Sequence, residues 1–222
     1  MTKWCLVSVA VAMCWVYSQQ SARADTVPSI GTQHFTDDTK ITTSAFNTAV
    51  AGQPAPFNTF CGSDTSANCS ATWTFSYSLP TGNLVTGATL TLGIYDIDSA
   101  APGNQVGSFT LDGTDVLTSQ LNVVSEAADS PNSFYNVLTI TIPNGFFGDL
   151  QTSGSATFAL TLSGPGLGIL GNTTYNGAGL DFSKLDIASQ PMMGPTPESA
   201  TWLLLSTGIL ALGIARALLK HS

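Results

Sequence analysis

The clearest pattern along the chain is an alternation of apolar and polar positions at period two. Over residues 71–79, Trp73, Phe75, Tyr77 and Leu79 alternate with Thr72, Thr74, Ser76 and Ser78. Successive side chains of a strand point to opposite faces, so this spacing predicts a half-buried strand with its aromatic row on the core face. Were that row exposed instead, it would make a platform for sugar rings. The alternation returns over 88–95 (Leu90, Leu92, Ile94), 134–142 (Leu138, Ile140, Ile142) and 156–162 (Ala156, Phe158, Leu160, Leu162). Residues 105–111 and 180–188 read as two further strands. Pro80 to Asn83, Asp112-Gly113 and Pro143-Asn144-Gly145 punctuate the series as turns.

Other stretches carry less pattern. A short strand is expected at 33–36, before an Asp37-Asp38 turn. Residues 47–58, with Gly52, Pro54 and Pro56, read as loop. Residues 116–124 read as a strand or a short irregular segment, 126–132 as polar loop and 146–150 as a short link. Residues 163–179 read as a long Gly- and Asn-rich loop. Seven or eight strands, with a turn signal every 8–15 residues or so, predict an all-β domain, a two-sheet β-sandwich of jelly-roll-like type. No repeat of roughly 20–50 residues runs through the chain, which argues against a solenoid or propeller.

Two apolar runs at the ends belong to a different pattern. The first, residues 5–17, follows Lys3 and precedes Gln19, Gln20 and Ser21. It is short for a membrane span, and Ala22-Arg23-Ala24 offers small residues where a signal peptidase requires them. The expectation is a signal peptide over 1–24 and Asp25 as the first mature residue. A retained N-terminal anchor would need a longer run. A lipoprotein anchored at Cys14 would need a small residue where Met13 stands. The second run, 200–219, is long enough for a transmembrane helix, with Arg216, Lys220 and His221 at its end. Basic residues there keep residues 220–222 cytoplasmic. Between the two runs lie an ectodomain, 25–190, and a linker, 191–199, which ends in Pro197-Glu198-Ser199.

A proline-glutamate pair, an apolar helix with Trp202 near its start, and a basic end together resemble the sorting tail of PEP-CTERM proteins. Ser199 stands where that family usually carries a second proline. The resemblance covers about 26 residues. It implies export in a Gram-negative bacterium, recognition at Pro197, Glu198 and Ser199 by an exosortase-type processing enzyme, and release into the cell envelope or the extracellular space. An ordinary tail anchor that is never cut would share the helix and the basic end. The stretch ATLTLGIYDID from Ala88 is also loosely similar to β-sandwich domains of other PEP-CTERM proteins.

Composition narrows the reading of the ectodomain. It holds thirteen acidic residues, twelve of them Asp, against Lys40 and Lys184. Nothing in it could neutralise phosphates, so nucleic acid is excluded as an expected partner. The scarcity of Glu, Lys, Arg and Gln beside abundant Thr, Ser, Gly and Asn favours strands and turns over helices. Cys61 and Cys69 are the only cysteines after residue 24. In an oxidising compartment they are expected to form a local disulfide. Without a nearby histidine or a second cysteine pair, a metal site there is disfavoured.

Asp96 and Asp98 leave the 88–95 strand at positions i and i+2, so both carboxylates could address one point. This makes them a candidate Ca²⁺ site, with loop carbonyls completing the shell. The competing role is simpler, since Asp is a favoured turn residue. The ectodomain has a single histidine, His34. The chain contains no Gly-x-Ser-x-Gly, His-Glu-x-x-His or P-loop motif. The expectation is a non-enzymatic exported protein with a structural or adhesive role in the envelope or matrix. A carbohydrate-binding module for exopolysaccharide is the alternative, and a secreted hydrolase comes third.

Overall fold

The computed structural model describes residues 23–26, 29–97, 104–128, 133–163 and 175–192. The chain divides into two compact units, Met1–Gln190 and Pro191–Ser222. Of the second unit only Pro191 and Met192 are described.

The first unit is mostly β, built from two sheets. Its long strands are β5 (Ser70–Ser76), β6 (Asn83–Tyr95), β7 (Val106–Leu111), β9 (Phe134–Thr141), β10 (Ser155–Leu162) and β11 (Ala178–Pro191). Short strands fill in around them: β1 (Arg23–Thr26), β2 (Ile30–Gly31), β3 (Thr39–Lys40), β4 (Phe60–Cys61) and β8 (Thr114–Asp115). The larger sheet runs β1-β11-β6-β9-β3, with β2 and β4 also paired to β11. The smaller runs β5-β10-β7-β8. Each long strand lies in the opposite sheet from the long strand before it, so the chain crosses the sandwich at every long connection. The tight hairpin, β7 to β8, turns at Asp112 and Gly113. Both have positive φ (49° and 81°), the conformation that a two-residue turn between twisted strands requires.

The alternation does its predicted work in the core. Trp73 and Phe75 on β5, Phe109 on β7 and Phe158 on β10 are buried and form ring contacts along the inner face of the smaller sheet. They meet Leu90, Leu92, Ile94, Leu138 and Ile140 from the larger sheet. The Trp73 indole N–H donates to Ser183 Oγ on β11 at 3.0 Å, which satisfies its polar atom inside the core. Tyr77 is half-buried, and its hydroxyl donates to the Leu150 carbonyl at 2.8 Å.

A second core lies on the other face of the larger sheet. It contains Phe46, Val50, Tyr95 and Tyr135, with Phe35, Ile41, Phe60 and Val137 against it. Helix α1 (Thr43–Ala49) closes over this face. Its first turn is capped by Thr42, whose hydroxyl accepts from the Ala45 N–H at 3.1 Å. Gly93 opens the sheet for this layer, because a Cβ there would overlap the Tyr135 hydroxyl and the Phe182 ring.

Several expectations need correction. The unit is not all-β. Residues 43–49, the last three of which were expected as loop, form α1. Residues 118–124, expected as a strand or a short irregular segment, are helical, since α2 spans Thr118–Ala127 and buries Leu121. Leu117, Leu121 and Val124 stand at helical spacing there, and tertiary contact with the sandwich selects the helix. Residues 146–150 belong to a 3₁₀ turn (Asn144–Phe146) and to helix α3 (Phe147–Ser153), which buries Leu150 and ends at Gly154 with φ 66°. The strand expected at 33–36 is absent; β2 and β3 flank that position instead. The Asp37-Asp38 turn is present.

The disulfide between Cys61 and Cys69 is present, with the two Cα atoms 4.8 Å apart. Cys61 sits on β4 in the larger sheet, and Cys69 leads into β5 in the smaller one, so the bond ties one sheet to the other.

Candidate functional site

The most unusual chemistry is a carboxylate in the interior. Asp181 lies on β11 and is fully buried. Ala178 and Leu180 face the main core before it, and Leu185 and Ile187 do so after it. The parity of the inward set therefore changes across Asp181 and Phe182, as it does when a strand takes up one extra residue. The Asp181 side chain meets the layer over the larger sheet. Its Oδ2 accepts from the His34 backbone N–H at 2.8 Å and from the Tyr135 hydroxyl at 2.9 Å. Its Oδ1 lies 2.6 Å from His34 Nδ1. Three donors thus compensate one buried carboxylate, as a low-dielectric interior demands.

The surroundings select the histidine tautomer. Gln53 Nε2, a donor, lies 3.4 Å from His34 Nε2. The Asp181 carboxylate can only accept, so His34 Nδ1 carries a proton toward it. Burial holds the Tyr135 hydroxyl well above its ordinary pKa, and the adjoining Asp181 charge, the hydrogen bond to Asp181 and the Asp37 charge push the same way. Tyr135 stays protonated and keeps donating. An aspartate orienting a histidine through Nδ1 is also the geometry of a general base. Here the group facing Nε2 is an amide, which offers no nucleophile. The side chain of His34 is 26% exposed, and β2 pairs with β11 just before it, Gly31 opposite Phe182. At Gly31, with φ 79°, a Cβ would overlap the Asp181 carbonyl, so glycine permits the close approach. The constellation fastens the segment after β2 and the α1 layer onto β11.

Other aspartates act alike. Asp37 Oδ1 accepts from the Val137 N–H at 2.7 Å, Asp64 Oδ1 from Gly177 at 2.9 Å and Asp112 Oδ1 from Thr157 at 2.8 Å. Asp96, with φ 60°, accepts from the Ser133 N–H at 2.8 Å, and its own N–H donates to the Phe134 carbonyl. Each carboxylate holds a backbone donor of a distant segment.

Asp98, the second half of the candidate Ca²⁺ pair, lies outside the described residues. Among the described residues no group of three or more His, Cys, Asp or Glu gathers as a metal site would require. The donors described around Asp96 are those of a strand-end cap. Of the proposed signal-cleavage residues, Ala22 lies outside the described residues, while Ala24 and Asp25 lie on β1, paired with Ala188 and Ile187. Pro197, Glu198, Ser199 and the apolar run 200–219 also lie outside. Among the described residues no helix is long and apolar enough to cross a membrane.

The aromatic row at Trp73 and Phe75 is core and offers no sugar platform. A hollow of about 440 Å³ opens beside α2, lined by Asn104, Asp115, Thr118, Asn122 and Glu126 among others. Asn122 is committed within it, accepting from the Val106 N–H and donating to the Val106 carbonyl. The Asp115 carboxylate accepts from the Thr118 hydroxyl.

The Asp181–His34–Tyr135 group leaves almost no mark in the sequence. Its one local signal is an acid inside an apolar strand, Leu180-Asp181-Phe182. Neither a protein-family model nor a curated protein matches the chain.

Proposed function

We propose that this chain is a non-catalytic component of the cell envelope or extracellular matrix, exported by its first 24 residues and sorted by its PEP-CTERM-like tail. Signal peptidase and an exosortase-type enzyme are the partners this route requires, and the apolar run 200–219 holds the chain in the membrane before processing. The supporting observation is the use of the aspartates. Asp37, Asp64, Asp96, Asp112 and Asp181 each accept from the backbone of a segment remote in sequence. Their polar chemistry is spent on rigidity, which suits a scaffold. The Cys61–Cys69 bond agrees with an oxidising compartment. An exopolysaccharide-binding role would have to use a surface other than β5, whose aromatic residues are interior.

Intact mass of the protein recovered outside the cytoplasmic membrane tests the route. The expected mass lacks residues 1–24 and the segment after 197–199. A released protein that still carries the full tail overturns the sorting.

A further inference from the structure

Sheet edges invite pairing, and most edges of this sandwich are blunted. The larger sheet ends at β3, two residues long, on one side. On the other, the free edge of β11 is covered by β1, β2 and β4, none longer than four residues. In the smaller sheet the two-residue β8 lies outside β7. β3 reaches only Phe134 and Tyr135 of β9, and β5 has no strand at all on its outer side among the described residues. Among the described residues β10 is the one strand paired with it, in unbroken register from Ser70 opposite Thr161 to Ser76 opposite Ser155.

Apart from the Cys61 sulfur, 3.6 Å from the Ser70 carbonyl at its first residue, β5 carries none of the devices that protect an edge. Its sequence, Ser-Ala-Thr-Trp-Thr-Phe-Ser, has no charge and no proline, and the ladder beside it has no bulge. Its hydrogen-bonding groups alternate in direction. The Cys69 carbonyl accepts from the Leu162 N–H, and the Tyr77 N–H donates to the Gly154 carbonyl, so the odd positions face β10. The N–H and C=O of Thr72 and Thr74 then face away from β10, along the open edge. Both residues are exposed.

We propose that this edge pairs with the same edge of a second copy of the chain, antiparallel about a two-fold axis at Trp73. The segment is nearly palindromic about that residue. Ser70 comes opposite Ser76 of the second copy, Thr72 opposite Thr74, and small Ala71 opposite large Phe75. Thr72 and Thr74 form hydrogen-bonded pairs in this register, which is the parity their outward backbone groups require. Without charge on the strand, no like-charge contact opposes self-pairing. A partner of different sequence would gain nothing from the palindrome. The two four-stranded sheets merge into one continuous sheet, whose outer face is a field of hydroxyls from Ser70, Thr72, Thr74, Ser76, Thr157 and Thr161. The pairing stands or falls independently of the sorting route above.

Light scattering after size exclusion, on the full chain in mild detergent with each species corrected for bound detergent, reads the result. The wild type is expected at twice the mass of one chain. The double variant Thr72→Lys/Thr74→Lys sets lysines opposite lysines and is expected at the mass of a single chain, with the circular dichroism spectrum unchanged. Thr74→Pro removes an outward N–H without touching the β10 ladder and is expected to do the same. Hydrogen exchange gives a second readout: the Thr72 and Thr74 amides are expected to be protected at least tenfold more in the wild type than in the lysine variant. A monomeric wild type overturns the proposal. So does a dimer that survives either folded variant, which would place the contact elsewhere, for example in the tail.

Discussion

Replacing Asp181 by alanine orphans three donors at once. The Tyr135 hydroxyl is buried with its residue at 0% exposure, so it bears the full cost of an unmade hydrogen bond, about 1–3 kcal/mol. The two His34 donors sit nearer the surface, with the side chain 26% exposed, and water recovers part of their loss. Together the loss falls in the range of about 3–5 kcal/mol typical of breaking a buried charged pair from one side. For a domain of this size each kcal/mol moves the melting temperature by roughly 2–4 °C, so Asp181→Ala should melt about 10 °C below the wild type. The assay is thermal unfolding followed by circular dichroism at neutral pH, with the disulfide intact. A second variant separates orphaned donors from simple loss of volume. Tyr135→Phe should destabilise the wild type by about 1.5–3 kcal/mol, since it removes one hydrogen bond to a charged group. In the Asp181→Ala background the same change removes an orphan and should raise the melting temperature. A melting temperature for Asp181→Ala within 2 °C or so of wild type would refute the reasoning. Equal costs of Tyr135→Phe in both backgrounds would refute it too.

Two further outcomes follow from the same layer. The Tyr135 pKa is raised above its unfolded value of 10.0, so the folded chain holds the proton longer than the unfolded chain. That stabilisation is complete below pH 10 and is lost as pH rises toward the folded value. Stability should fall by about 1.4 kcal/mol per pH unit above 10 on this account, and Tyr135→Phe should flatten the fall in a denaturant titration repeated across that range. Gly93→Ala places a methyl against the Tyr135 hydroxyl and the Phe182 ring. It should cost about 1–3 kcal/mol as overpacking, read from the urea midpoint, and a neutral result would mean that the α1 layer yields more easily than its packing indicates.

How much of this was legible beforehand depended on the range of each interaction. The period-two runs at 71–79 and 156–162 announced β5, which stops short at Ser76, and β10, and the burial of Trp73, Phe75, Phe158 and Leu160 follows the parity read from the residues alone. Asp112-Gly113 named its own turn, because positive φ at two successive positions is a local demand. The helices were not legible in the same way. Val123 and Val124 favour a strand locally, and only the sandwich beside α2 rewards the helical face of Leu117, Leu121 and Val124. The aspartates were visible as turn residues, but their partners lie far off in sequence, at Val137 for Asp37 and Gly177 for Asp64.

The sequence by itself determined that the main unit is mostly β, its core-facing strands and the cysteine pair, since each rests on side-chain alternation, turn chemistry or a short loop. Tertiary structure alone decided that β1, β2 and β4 share one edge of β11, that α1 roofs the larger sheet, and that Asp181 lies inside. The physical reason is distance along the chain. His34 and Asp181 are 147 residues apart, and a charge finds its partner there only after both sheets have closed.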